Sequence, residues 1–336
     1  MKYLISPEAT QYKANLHCHS NISDGKKTPE ELKEMYKSKG YSILSITDHE
    51  VPKNHSYLND ENFITITGYE AYIRVRPVYD VYERELHINL FARDPENISY
   101  ICYNPNFCKY LKKSEHYKLQ KVGSQRPRKL TVGYVNKFIK TAKKHGYIVS
   151  YNHPWWSMEK EEVILKYDGF FSMEMCNYGS YISSLLEYNG ALYDKLLLSG
   201  KRIFCHSADD NHNEYPENSP LNDSFGGFTM IMPEKFTYDS IFSAMEKGQM
   251  YSSMGPTFKE VSVSGRKIHI ECSSVKRIMV FTGSKTPLKE VANEGETINS
   301  AEFEIDKRAK YVRVSIADEK GRFADTRAYF KDELGL

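Results

Sequence analysis

From residue 12 to residue 255, short apolar runs alternate with helical patterns. That alternation restricts the chain to an α/β layout built from strand–helix units. The first unit is the clearest. Ala14 to His19 reads as a strand, and Thr28-Pro29-Glu30-Glu31 then opens a helix, with Thr as N-cap, Pro in the first turn and Glu31 completing a capping box. Gly40 stops that helix before the strand Tyr41 to Ile46. The same grammar predicts helices from about Thr131 to Gly146, around 184–199, and over 238–247, each followed by a glycine and another apolar run. Two segments depart from it. Between 105 and 130 there are eight basic residues and one acid, Glu115, which reads as an inserted surface loop. After Gly255-Pro256 the helical pattern gives way to short strands around 260–263, 267–272, 277–281, 302–305 and 311–316. The expected organisation is therefore one α/β unit over 1–256 and a small all-β appendage over 257–336.

Composition narrows the class further. Charged residues make up 27% of the 336 and hydrophobic ones 40%, which supports a folded core rather than extensive disorder. Forty-six Lys and Arg against 44 Asp and Glu leave a formal charge of +2, which argues against a stable nucleic-acid coat. No apolar run approaches the length of a membrane span, and the first residues carry an acid and a proline where a signal peptide needs an apolar core. The six cysteines form no CxxC pair, as expected of reduced thiols in a cytoplasm.

The histidines and acids concentrate at one kind of place, the C-terminal ends of the expected strands. His17 and His19 end the first strand, and their spacing of two points both imidazoles to one side. Asp24-Gly25 follows in the loop. Thr47-Asp48-His49 ends the second strand, Gly68-Tyr69-Glu70 the third; His87 lies in the run 85–91, Asn152-His153-Pro154 ends another strand, and Asp210-Asn211-His212 follows a last one. Each element alone has a plain structural reading: a strand histidine, a turn, a loop. Together, six histidines and three carboxylates in register with strand ends make a mixed nitrogen and oxygen donor set for two or three divalent metals. Such ions act as Lewis acids and generate hydroxide near neutral pH.

In their order, HxH (His17, His19), Asp24-Gly25, TDH (Thr47-Asp48-His49), GxE (Glu70), His87, NHP (His153) and DxH (Asp210, His212) resemble the PHP (polymerase and histidinol phosphatase) superfamily of metal-dependent phosphoesterases over about residues 12–255. The paired Asp209-Asp210 and the β-rich tail look most like its bacterial CehA/McbA-type metallohydrolases. The resemblance implies a distorted (β/α)7 TIM-like barrel with two or three zinc, manganese or iron ions. Carried over by position, His17, His19, Glu70 and Asp210 would hold one ion. Glu70, His87 and His153 would hold a second across a bridging Glu70, and Asp24, His49 and His212 a third. Asp24 stands where some members place a histidine. Catalysis would use metal-bound water with Glu70, Asp210 and His212, while Asp48 and Asp209 would orient imidazoles.

Three arginines, Arg74, Arg76 and Arg84, lie between Glu70 and His87 and are placed to fork a phosphate; solvated loop arginines are the equal alternative. Glu174 and Asn177 follow another apolar run and either line the mouth or make structural hydrogen bonds. The basic segment reads as a solvated loop or a lid. Its Tyr103, Phe107, Tyr110 and Tyr117 permit base stacking. His55, His116, His145 and His269 read as surface or structural, and His206 is assigned no side. The expected substrate is a small anionic phosphomonoester or phosphodiester. The alternatives are a carboxylic ester, amide or carbamate, or a non-enzymatic metal-retaining binding protein; no protein partner is legible.

Overall fold

The computed structural model describes residues 1–75 and 79–335, so Arg76 lies outside the described residues. The helix starts expected at Thr28, Thr131 and 238 hold. In the helix Pro29–Ser38 the Thr28 side chain accepts from the Glu31 amide at 3.2 Å, and Glu31 accepts from the Thr28 amide at 2.8 Å. Two orphan donors of the first turn are thereby satisfied. Val132–Lys144 buries Val135, Phe138, Ile139 and Ala142, one stripe at helical spacing. Gly146, at φ +81, then turns the chain into the strand Tyr147–Tyr151. The helix expected around 184–199 is two helices, Tyr178–Ser184 and Gly190–Leu198. Leu185 adopts φ +62 between them, and the buried Glu187 turns inward to accept hydrogen bonds from the Trp155 and Trp156 amides.

The strands form a mixed α/β architecture. One sheet runs in the order Phe204–Ala208, Ser172–Asn177, Tyr147–Tyr151, Glu85–Ala92, Gly68–Arg74. Its first three strands are parallel and the last two join antiparallel. Residues 75–84, the link between Gly68–Arg74 and Glu85–Ala92, are too few for the dozen or more of a helical crossover, so this pair is a hairpin. A larger sheet holds Tyr12–Asn15, Ile43–Leu44 and Ile64–Thr65 in parallel. Isolated parallel bridges, Cys18 to Asn211 and His49 to Glu70, link the two sheets. Among the described residues no sheet closes on itself, so the expected barrel is not found as one continuous ladder.

The C-terminal strands are joined to this frame. Tyr12–Asn15 pairs with Phe228–Ile231, which pairs with Met250–Ser253, and Met250–Ser253 pairs with Phe323–Thr326. The larger sheet then continues through Tyr311–Ala317 and Arg277–Phe281 to Leu288–Val291. A separate four-stranded sheet pairs Lys2–Ile5 with Phe258–Ser264, so the first strand of the chain packs with the last segment. Between these sheets lies a core of Ile5, Val261, Ile268, Ile278, Val314 and Ile316. The segment also holds a short helix, Lys331–Leu334.

A buried ion network fastens this core to the rest. Arg313, 1% exposed, donates to Asp325 at 3.0 Å and to both oxygens of Asp194 at 2.7 and 2.6 Å; Asp194 lies on the helix Gly190–Leu198. Tyr311 and Tyr188 donate to the same carboxylates. Removing one partner strands a buried charge, which costs more than the pair contributes. Arg313→Ala should therefore lower the unfolding free energy by roughly 3–5 kcal/mol in denaturant titration; a loss under about 1 kcal/mol would contradict this role.

Candidate metal centre

Strand ends deliver the candidate ligands to one place. His17 and His19 leave Tyr12–Asn15, His49 follows Ile43–Leu44, and His153 follows Tyr147–Tyr151. Glu70 and His87 sit on the two strands of the hairpin, where His87 pairs with Tyr72. Asp210 and His212 follow Phe204–Ala208. His153 (φ +25) and Asp210 (φ +54) hold positive φ, a backbone cost the surrounding structure has to sustain.

The nine side chains named from the sequence converge. The Glu70 carboxylate lies 3.2 Å from His17 Nε2, 3.5 Å from His19 Nε2, 2.8 Å from His49 Nδ1, 3.1 Å from His87 Nδ1 and 3.3 Å from His153 Nε2. Asp210 Oδ1 is 3.1 Å from His17 Nε2 and 2.9 Å from His19 Nε2. Asp24 is 3.5 Å from His212 and 3.6 Å from His49. Three overlapping donor groups result: His17, His19, Glu70 and Asp210; His49, Glu70 and His87; His19, Asp24, His49 and His212. The first is the set expected from the resemblance. The second has His49 where His153 was expected, and His153 stands beside it against Glu70 and Asp210.

Four buried atoms here, Asp24 Oδ1, His49 Nδ1, Glu70 Oε2 and Asp210 Oδ1, make no well-aligned hydrogen bond among the described residues. Buried polar atoms are otherwise nearly always paired, so donors converging unpaired are suited to cations. Burial opposes ionisation of Glu70, but the imidazoles of His87, His17 and His49 outweigh it and hold the carboxyl well below its usual range. Asp24 is likewise held at about 2 against its burial, by His49, His19 and His212.

Support comes from other groups than expected. Glu174, fully buried, accepts at 2.7 Å from His17 Nδ1 and at 2.7 Å from the His153 amide; Asn177 donates to Glu174 and Asp210 and caps the helix Tyr178–Ser184. Both therefore stand behind the ligands, not on the mouth. Asp48 binds Ser20 and Ser23, tying the loop that carries Asp24, and Asp209 binds the amides of Phe225, Gly226 and Gly227 with the Tyr36 hydroxyl. Neither hydrogen-bonds an imidazole. That role falls to Glu174 on His17 and to Glu85, 3.1 Å from His87 Nε2. Glu85 was legible as the residue two before His87 on one strand face. Arg74 is ion-paired with Glu85 at the mouth, while Arg84 neighbours Glu159 and Tyr167 and does not line the cavity.

The basic segment is exposed over much of its length, as a solvated loop would be, but it is anchored to the frame at several points, and Lys109 lines the cavity. Its Arg128 is buried against Glu50, donating to Oε2 at 3.0 Å and to the Tyr72 carbonyl at 2.7 Å. Tyr72 donates to the Phe107 carbonyl at 2.7 Å, and Tyr110 donates to Asp24 Oδ2 at 2.9 Å. Tyr103 and Phe107 are buried and only Tyr117 is largely exposed, so the four rings form no stacking platform. Glu50 and the bond from Tyr110 were not foreseen, because both join segments distant in sequence. His55 and His206 are buried, the latter beside Ser172 at 3.0 Å; His116, His145 and His269 bond locally. Glu174→Gln should weaken metal binding about 10- to 100-fold in a competition titration with a chelating dye. An unchanged affinity would remove Glu174 from the site's support.

The PHP domain family matches residues 15–204, more than half of the chain. No curated protein matches it. Among solved structures, it is similar to a two-domain protein from Bacteroides vulgatus containing a predicted PHP-like metal-dependent phosphoesterase, at 13% identity and TM-score 0.46 over 95% of this chain and 94% of that one. A candidate metal-dependent phosphoesterase from Bifidobacterium adolescentis matches at 16% identity and TM-score 0.40, over 63% and 92%. An amidohydrolase from Chromobacterium violaceum, with bound sulfate and no metal, matches at 18% and 0.40, over 59% and 87%. The chain belongs to the PHP domain family.

Proposed function

We propose that the protein is a metal-dependent hydrolase that cleaves a small phosphate ester. The observation that carries this reading is the set of three donor groups sharing Glu70, His19 and His49, with unpaired carboxylate oxygens turned into it. His17, His19, Asp24, His49, Glu70, His87, Asp210 and His212 would hold the ions, with His153 completing the group at Glu70; nitrogen and oxygen donors without sulfur suit zinc, manganese or iron. Two or three such ions would supply Lewis acidity and lower the pKa of water at the mouth. Glu70 would hold two donor groups in register. Asp210 and His212, at the rim, would flank the reacting centre. Lys109 and Arg74 line the mouth, and Lys109 would meet the anion.

The finer assignments belong to the same reading. The strand ends would surround the mouth as a distorted seven-stranded barrel, with 257–336 as a β-rich domain docked on it. Six buried free thiols suit a reducing cytoplasm. The paired Asp209-Asp210 and the β-rich tail support placing the chain in the CehA/McbA-type branch. One observation favours its substrates as a second reading: Arg74 is already paired with Glu85, so Lys109 is the cation left for an anion among the described lining residues. A carboxylic ester, amide or carbamate would need no more.

Reconstituted protein should hydrolyse phosphate monoesters or diesters, lose activity on chelation and regain it with added zinc, manganese or iron. Activity that survives complete removal of metal would contradict the proposal. Metal-dependent turnover of aryl carbamates with none of phosphate esters would select the second reading.

A further inference from the structure

A cavity of about 790 Å³ opens over the donor groups, far larger than a phosphoryl group requires. Besides the ligand set, its lining includes Tyr79, Trp155, Trp156, Ile182, Tyr215 and Leu221. Trp156 packs inward, its ring 4.7 Å from that of His153 and 5.0 Å from that of His87. Trp155 turns outward at the rim and is 47% exposed; among the described residues no ring stacks on it. Exposure of so large an apolar side chain is costly, and here it is built in. Glu187, fully buried, accepts from the Trp155 amide at 3.1 Å and the Trp156 amide at 2.8 Å, and Asn189 donates to it at 2.7 Å. A buried carboxylate is thus committed to holding two indoles beside the donor groups.

We infer that Trp155, with the apolar side chains lining the same cavity, forms a subsite for a planar aromatic ring carried by the substrate next to the bond that is cleaved. The inference rests on the hydrolase reading above and adds the class of substrate, an ester whose organic part is an aromatic or heteroaromatic ring. A ring at the rim would stack on the free face of Trp155, while its ester group reaches Asp210 and His212 on the same cavity. Offset stacking and burial of the ring would supply affinity that Lys109, the cation left among the described lining residues, does not.

The test titrates the metal-reconstituted full chain with two non-hydrolysable probes, methylphosphonate and phenylphosphonate, by calorimetry. The chain has two tryptophans, both at the mouth, so indole emission reports ring binding without turnover. Phenylphosphonate should bind about fivefold more tightly than methylphosphonate and quench that emission. Trp155→Ala should abolish the preference and leave methylphosphonate binding unchanged, and Trp155→Phe should retain most of it. Equal binding of the two probes, or a preference that persists in Trp155→Ala, overturns the inference. If neither phosphonate binds, the phosphoester reading alone falls. Benzoate against acetate then decides the subsite with the same variants: a benzoate preference lost in Trp155→Ala upholds it, and no preference overturns it.

Discussion

One carboxylate organises the molecule. Glu70 is fully buried and lies within 3.5 Å of five imidazoles, those of His17, His19, His49, His87 and His153. An isolated buried carboxylate would neutralise itself or unfold its surroundings, so a protein that keeps one ionised must bring positive charge to it. The backbone is built round that requirement. The Glu70 amide donates to the Thr47 carbonyl and its own carbonyl accepts from the Glu50 amide, which locks the second and third strand ends together. Asn152 adds a 2.8 Å hydrogen bond to the same carboxylate. Bound cations would complete what the imidazoles begin.

Around Glu70 stand three more fully buried glutamates, each with a different partner. Glu50 takes Arg128 and so fastens the end of the basic segment to the frame. Glu174 takes His17 and the His153 amide, fixing ring and backbone of two ligands. Glu187 takes the amides of the tryptophan pair. Each joins elements far apart in sequence, so the rigidity of the mouth comes from these cross-links and not from any one strand. The positive φ at His153 and Asp210 is sustained by the same contacts, since Glu174 binds the His153 amide and Asn177 binds Asp210.

What could be read in the chain was local. Capping boxes, glycine stops and the period-two spacing of His17 and His19 are properties of neighbouring residues, and they hold in Pro29–Ser38, Val132–Lys144 and at the metal centre. Donor residues were recognisable because their chemistry is rare and most of them follow strand ends, although Glu70 and His87 lie inside the strands Gly68–Arg74 and Glu85–Ala92. The partners of those donors were not. Whether Glu174 faces the mouth or the ring of His17, 157 residues away, depends on how the strands that carry them lie against each other. Likewise nothing near Asp24 announces Tyr110, and nothing near Glu50 announces Arg128. The helix expected around 184–199 divides because Glu187 is needed inside, a tertiary demand that helical spacing does not register. The C-terminal strands show periodicity but not destination: only the structure pairs Met250–Ser253 with Phe323–Thr326 and continues the sheet.

The central claim is that Glu70 holds the donor groups together as one multinuclear site. Metal content by mass spectrometry, compared between the parent protein and Glu70→Gln after identical reconstitution and desalting, tests it most directly. The account predicts two or three ions per parent chain and at most one in the folded variant, since the amide keeps the shape but loses the shared charge. A variant that folds and retains the parent's full complement of ions would contradict it.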